Sequence, residues 1–166
     1  TTPVSKITEN IRILNQRNNI DTPPVVLLAT GAFSPIHDGH VSMLEKARHS
    51  LELVGRTVVG GYISPSHDKY VSHKYKNTFS LNSAERIHLC QQKVADSPWL
   101  MVDPWESLYN LTDTTYTDVI RRLYQYLVAN ISFPKGLDIF YVFGGDNAPF
   151  CRLFVDQGNC VCVARH

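Results

Sequence analysis

The stretch Val25-Val-Leu-Leu-Ala-Thr-Gly31-Ala-Phe-Ser-Pro35-Ile-His37-Asp-Gly39-His40 decides how this chain folds. Its first five residues are continuously apolar and begin with two β-branched side chains, the pattern of a strand buried on both faces. Beyond it, Val41, Leu44, Ala47, Leu51 and Val54 recur along one side and predict a helix over 41–53. The loop between is built from residues with separate uses. Gly31 lets the backbone approach a ligand or take a positive φ. Pro35 stiffens the loop, and Gly39 clears space at the turn into the helix. His37 and His40 fall at or just before the helix N-terminus, where free N–H groups and a partial positive charge favour anions. Two imidazoles there can donate to phosphate oxygens and stabilise charge developing in a transition state.

Outward from this unit the elements alternate by type. Strands are predicted over 57–63, 100–102, 137–143 and 160–164, and helices over 82–95, 118–130 and 147–155. Residues 1–24 read as an N-terminal extension. It carries a short amphipathic helix over 7–14, packed on the outside and stopped by Pro23 and Pro24, and a second unit spans 25–166. Strands alternating with helices imply an α/β fold, a five-stranded parallel sheet with helices on both faces. Ligands in such sheets bind beyond the carboxyl ends of the strands, so the residues after each strand are the candidates.

Composition excludes several classes. The 166 residues are 43% hydrophobic and 19% charged, which argues for one globular core and against disorder. Sixteen Lys and Arg against fifteen Asp and Glu leave a net charge of +1, no footprint for nucleic acid or an anionic membrane. The longest apolar runs are far short of the roughly 20 residues of a spanning helix, and no signal peptide is visible. A cytoplasmic or nuclear protein is the expectation. The four cysteines contain no Cys-x-x-Cys pair; Cys160 and Cys162 would share one face of a strand, and all four read as reduced core or edge thiols. The His37-x-x-His40 spacing could serve a metal, but only Asp38 accompanies it, and no metal ligands are expected.

The Gly-x-Phe-x-Pro-x-His-x-Gly-His pattern resembles the signature of the His-x-Gly-His nucleotidyltransferase superfamily, whose fold is a Rossmann-like, doubly wound parallel sheet. The resemblance implies that His37 and His40 contact a nucleoside triphosphate, and that Gly31, Ala32, Phe33 and Gly39 line the nucleotide site. Three later segments narrow it: Ser64-Pro65-Ser-His-Asp68-Lys69-Tyr70; Val102-Asp103-Pro-Trp105-Glu106-Ser107; and Thr115-Tyr-Thr-Asp118. With Gly144-Gly145-Asp146 after the fourth strand, they resemble the eukaryotic-type nicotinamide mononucleotide adenylyltransferases. That implies ATP contacts at Gly144 and Asp146, and mononucleotide contacts at Ser34, Lys69, Lys74, Lys76, Trp105, Glu106 and Thr115. Trp105 offers a flat face for a pyridine ring, or it is a core aromatic; Trp99 reads as core. The lysines suit a phosphate, or form a solvated loop. Asp146 can accept from a ribose hydroxyl or cap the next helix. Arg86 lines the site or pairs with a carboxylate on its own helix.

The implied reaction joins the AMP moiety of ATP to nicotinamide or nicotinate mononucleotide and releases pyrophosphate, with Mg2+ bound to the nucleotide largely through water. A homo-oligomer stays open. The family carries a Ser-Thr-x-x-Arg-like triphosphate motif beyond its last strand, and the sequence has no Ser or Thr after Ser132. Two further readings follow: a catalytically weakened nucleotide-binding or interaction domain, and a related adenylyl- or cytidylyltransferase of the superfamily.

Overall fold

A computed structural model describes residues 1–17, 21–68, 81–109, 115–146 and 159–164. Five strands, β1 (Val25–Gly31), β2 (Val58–Pro65), β3 (Leu100–Val102), β4 (Asp138–Gly144) and β5 (Cys160–Val163), form one sheet in the order β3-β2-β1-β4-β5. Every neighbouring pair is parallel. Among the described residues the helices are α1 (Ser5–Gln16), α2 (Asp38–Leu53), α3 (Ser83–Val94), the single turn α4 (Trp105–Leu108) and α5 (Tyr116–Asn130). None of them is long and apolar enough to cross a membrane. The helix expected over 147–155 lies outside the described residues.

The apolar run of β1 is continuous because both faces of the strand are covered. Val25, Leu27 and Ala29 join one core with Leu44, Ala47 and Leu51 of α2 and Cys90 and Val94 of α3. Val26 and Leu28 join the opposite core with Ile7 of α1 and Val119, Leu123 and Leu127 of α5. The i, i+4, i+8 spacing of that last trio is the seam of an amphipathic helix. Trp99 is buried, as its sequence context suggested, and its indole N–H donates to Glu45 at 2.9 Å.

The sheet tolerates two close approaches only because β2 carries Gly60 and Gly61. A Cβ at Gly60 would lie 2.4 Å from Ile7 Cγ1, and one at Gly61 would lie 2.6 Å from Trp99 Cζ3. α1 is thus seated directly on the strand, with Ile7 fully buried. Cys90 is also buried, which pushes its thiol up to about 12. On β5, Cys160 packs into the α5-side core, while Val161 and Val163 pack on the α2 side, the two-residue alternation of a strand.

The chain builds outward from β1 to β2 and β3, then returns through α5 to place β4 on the other side of β1. Strand order therefore reverses between β1 and β4. In open parallel sheets the crevice at such a reversal, beyond the carboxyl ends of the strands, is where ligands bind.

Candidate functional site

The two histidines of the motif lock each other into place at the start of α2. His37 is the N-cap, and its Nδ1 accepts the Gly39 N–H at 3.1 Å. His40 Nδ1 in turn accepts the His37 N–H at 3.1 Å. This is a capping box made of imidazoles, filling the place that Ser or Thr with Glu or Gln usually takes. The rings stack with centroids 3.8 Å apart, and Phe33 meets His40 edge-on at 4.9 Å. Because each Nδ1 is an acceptor, each neutral ring carries its proton on Nε2. The helix end thus gains two ring N–H donors in addition to its dipole.

Gly39 is required by this arrangement. A Cβ there would stand 2.9 Å from His37 Cε1 and 3.0 Å from its Nδ1. Gly39→Ala should therefore displace the His37 ring and lose its cap, costing about 1 kcal/mol of stability; thermal unfolding checks this. Phe33 adopts φ 47°, in the left-handed region, at a cost of about 1–2 kcal/mol. Burying its ring against the core offsets that cost.

Around the capped helix end lies a cleft of about 280 Å3, lined by His37, Gly39, His40, Gly144 and, not expected from sequence, Ser42, Met43, Lys46, Val163 and Ala164. Residues 39, 42, 43 and 46 form one face of α2 over two turns. The opposite wall is the ends of β4 and β5. Lys46 adds a cation that helical spacing could have revealed. Asp38, at the same helix end, is paired by Lys93 of α3, which holds its carboxyl below the usual range. Asp146 follows β4 two residues beyond Gly144.

The loops after β1, β2 and β3 are tied together by hydrogen bonds. Ser66 N–H donates to Gly31 O at 2.8 Å. Arg86 is the main strut. Its side chain is fully buried and donates to Ala32 O (2.8 Å), Ser66 O (2.6 Å), Leu81 O (3.2 Å) and the Asp68 carboxylate (3.1 Å). Its carboxylate partner, Asp68, follows β2 and does not lie on its own helix, which was one of the two readings that the sequence left open. Ser34 Oγ accepts the Leu81 N–H at 3.2 Å, closing the same junction.

The Trp105-Glu106-Ser107 turn sits at the end of β3. Ser107 Oγ donates to Pro65 O at 2.6 Å, and Ser64 Oγ donates to Glu106 Oε2 at 3.2 Å. Burial pushes the Glu106 carboxyl up to about 7; the Ser64 hydroxyl opposes the rise, Asp103 adds to it, and the Arg86 charge opposes it. An ordinary carboxyl ionises near 4.5, so the folded state keeps the proton to higher pH than the unfolded state does. The associated stability is complete below about pH 4.5 and is lost as pH rises through about 7. Glu106→Gln should remove that slope and exceed the wild type at about pH 8 by up to about 3 kcal/mol in urea unfolding.

Trp105 is half-buried, against Arg122 and Tyr109, at the edge of the α5-side core. Thr115 caps α5: its Oγ1 accepts the Asp118 N–H at 3.4 Å, and Asp118 returns the bond to the Thr115 N–H at 3.1 Å. Lys69, Lys74 and Lys76 lie outside the described residues. Among the described residues, no three His, Cys, Asp or Glu side chains gather as metal ligands.

A model of the cytidylyltransferase-like family matches residues 28–143. The chain is 37% identical over 118 residues to nicotinamide/nicotinic acid mononucleotide adenylyltransferase 2 of Xenopus tropicalis and, equally, of Rattus norvegicus. These alignments cover 67% of this chain and 37% of each relative. The nicotinamide/nicotinic acid mononucleotide adenylyltransferase of Arabidopsis thaliana is 35% identical over 130 residues, 78% of this chain and 52% of that protein. The chain thus matches between about a third and a half of these relatives' lengths. The matched span contains the end of β1, the imidazole-capped start of α2, the Arg86 strut and the Trp105 turn, and with them the chain belongs to the cytidylyltransferase-like family.

Proposed function

We propose that this protein transfers the AMP moiety of ATP to nicotinamide or nicotinate mononucleotide, forming the dinucleotide and pyrophosphate. The observation that carries this reading is the imidazole-capped start of α2 at the sheet's reversal point, with both histidines lining the cleft. The adenylyltransferase names of the relatives favour adenylyl over cytidylyl as the group transferred.

In this reading a phosphate oxygen of the mononucleotide attacks the α-phosphorus of ATP. The new P–O bond forms as the bond to the β-phosphate breaks, and pyrophosphate leaves. The attacking monoester is already ionised, so no general base is needed. His37 and His40 donate to triphosphate oxygens where charge grows, and the fixed helix end supplies the rest without rearrangement. Lys46 and the α2 dipole add positive potential. The cleft's polar groups are mainly donors, which suits phosphate oxygens. A Mg2+ ion would therefore be held by the nucleotide and water, where it neutralises phosphate charge. Trp105, Glu106 and Ser34 form the mononucleotide side, with Thr115, Lys69, Lys74 and Lys76 assigned to the same ligand. The test is pyrophosphate release from ATP, and from CTP as a control, with each mononucleotide and with His40 replaced.

A further inference from the structure

A four-residue helix cannot hold itself, because a single turn fixes several backbone angles for one hydrogen bond. α4 is held from outside on two sides. On the β2 side stand the Ser107 and Glu106 bonds already described. On the other side stands Asp103, whose side chain is only 1% exposed. Its Oδ1 accepts the Trp105 N–H at 3.2 Å and the Thr2 hydroxyl at 2.7 Å. Arg122 of α5 donates to Asp103 Oδ2 at 3.1 Å and to Thr2 Oγ1 at 2.6 Å. The same guanidinium lies over the Trp105 ring, 5.2 Å from its centroid, and over Tyr126 at 4.7 Å.

We infer that Thr2, Asp103 and Arg122 form a positioning network that fixes the Trp105 ring and Glu106 for the mononucleotide. The inference rests on the reading of α4 as the mononucleotide side. It adds that Thr2, 101 residues from Asp103 in sequence, sets affinity for that ligand. A planar guanidinium can pair with a carboxylate along its edge and cover a ring with its face at once; an ammonium cannot. Thr2 is itself buried, and its hydroxyl both donates to Asp103 and accepts from Arg122. Removing that hydroxyl breaks the junction without adding bulk.

The test uses Arg122→Lys and Thr2→Val in the full protein, the second guarding against a folding defect in the first. Acrylamide quenching of tryptophan fluorescence reports Trp105, because Trp99 is 1% exposed. Both variants should show stronger quenching. Their mononucleotide dissociation constants should rise by about three- to tenfold, while ATP affinity stays within about twofold. Unchanged quenching and unchanged affinity in both variants would overturn the inference, and so would equal losses for both ligands. If the wild type takes up no mononucleotide, the substrate assignment fails, and quenching alone still decides whether the network holds Trp105.

Discussion

His40→Ala should lower turnover by about two to four orders of magnitude while the protein stays folded. The substitution removes an imidazole that lines the cleft and the acceptor of the His37 N–H. Loss of that cap bond alone should cost about 1 kcal/mol. His40→Gln separates the two effects, because Gln is a normal partner at this position of a capping box and can take the His37 N–H. It should recover the stability and leave turnover low. Turnover near the wild-type rate in both variants would remove His40 from the reaction, and a recovered rate in the Gln variant alone would reduce it to a helix cap. Steady-state pyrophosphate release and thermal unfolding, measured side by side, give both answers.

Arg86→Met should destabilise the protein by about 3–5 kcal/mol, a large share of the roughly 5–15 kcal/mol that holds a domain of this size. The Met side chain fills most of the volume but leaves the carbonyls of Ala32, Ser66 and Leu81 without this donor. Buried acceptors left without partners lose the hydration they had in the unfolded chain. Arg86→Lys should recover only part of the loss, since one ammonium cannot reproduce the flat fork that reaches three carbonyls and Asp68. Urea unfolding measures both variants. A loss below about 1 kcal/mol for Arg86→Met would mean that the strut is not needed to join the β1 and β2 loops.

The sequence made β1 and the histidine motif legible because both are local. A continuous apolar run flanked by glycine and proline has few other readings, and the two histidines follow within ten residues. α2 begins three residues earlier than expected, at Asp38, because its cap is a histidine and the periodic apolar face starts only at Val41. α5 begins two residues before the expected 118, at Tyr116, because Thr115 and Asp118 form both halves of a capping box ahead of the apolar face. Arg86 stayed open between two readings for the opposite reason. Its acceptors lie 54 and 20 residues away on backbone carbonyls, and no side-chain pattern announces a carbonyl. Thr2 was invisible for the same reason, since its hydroxyl meets Asp103 only after the sheet is assembled. Met43 and Lys46 follow simply from extending the helical face that begins at Gly39, a step that periodicity allows once the cleft side of α2 is known.

Adenylyl transfer at the histidine-capped end of α2 can be tested directly. The direct measurement is product formation by the complete gene product given ATP, Mg2+ and either nicotinamide or nicotinate mononucleotide. Dinucleotide and pyrophosphate should form in equal amounts, with much less product when CTP replaces ATP and near loss of both products in His40→Ala. Absence of dinucleotide with both mononucleotides, from protein shown to be folded, would contradict adenylyl transfer at this site.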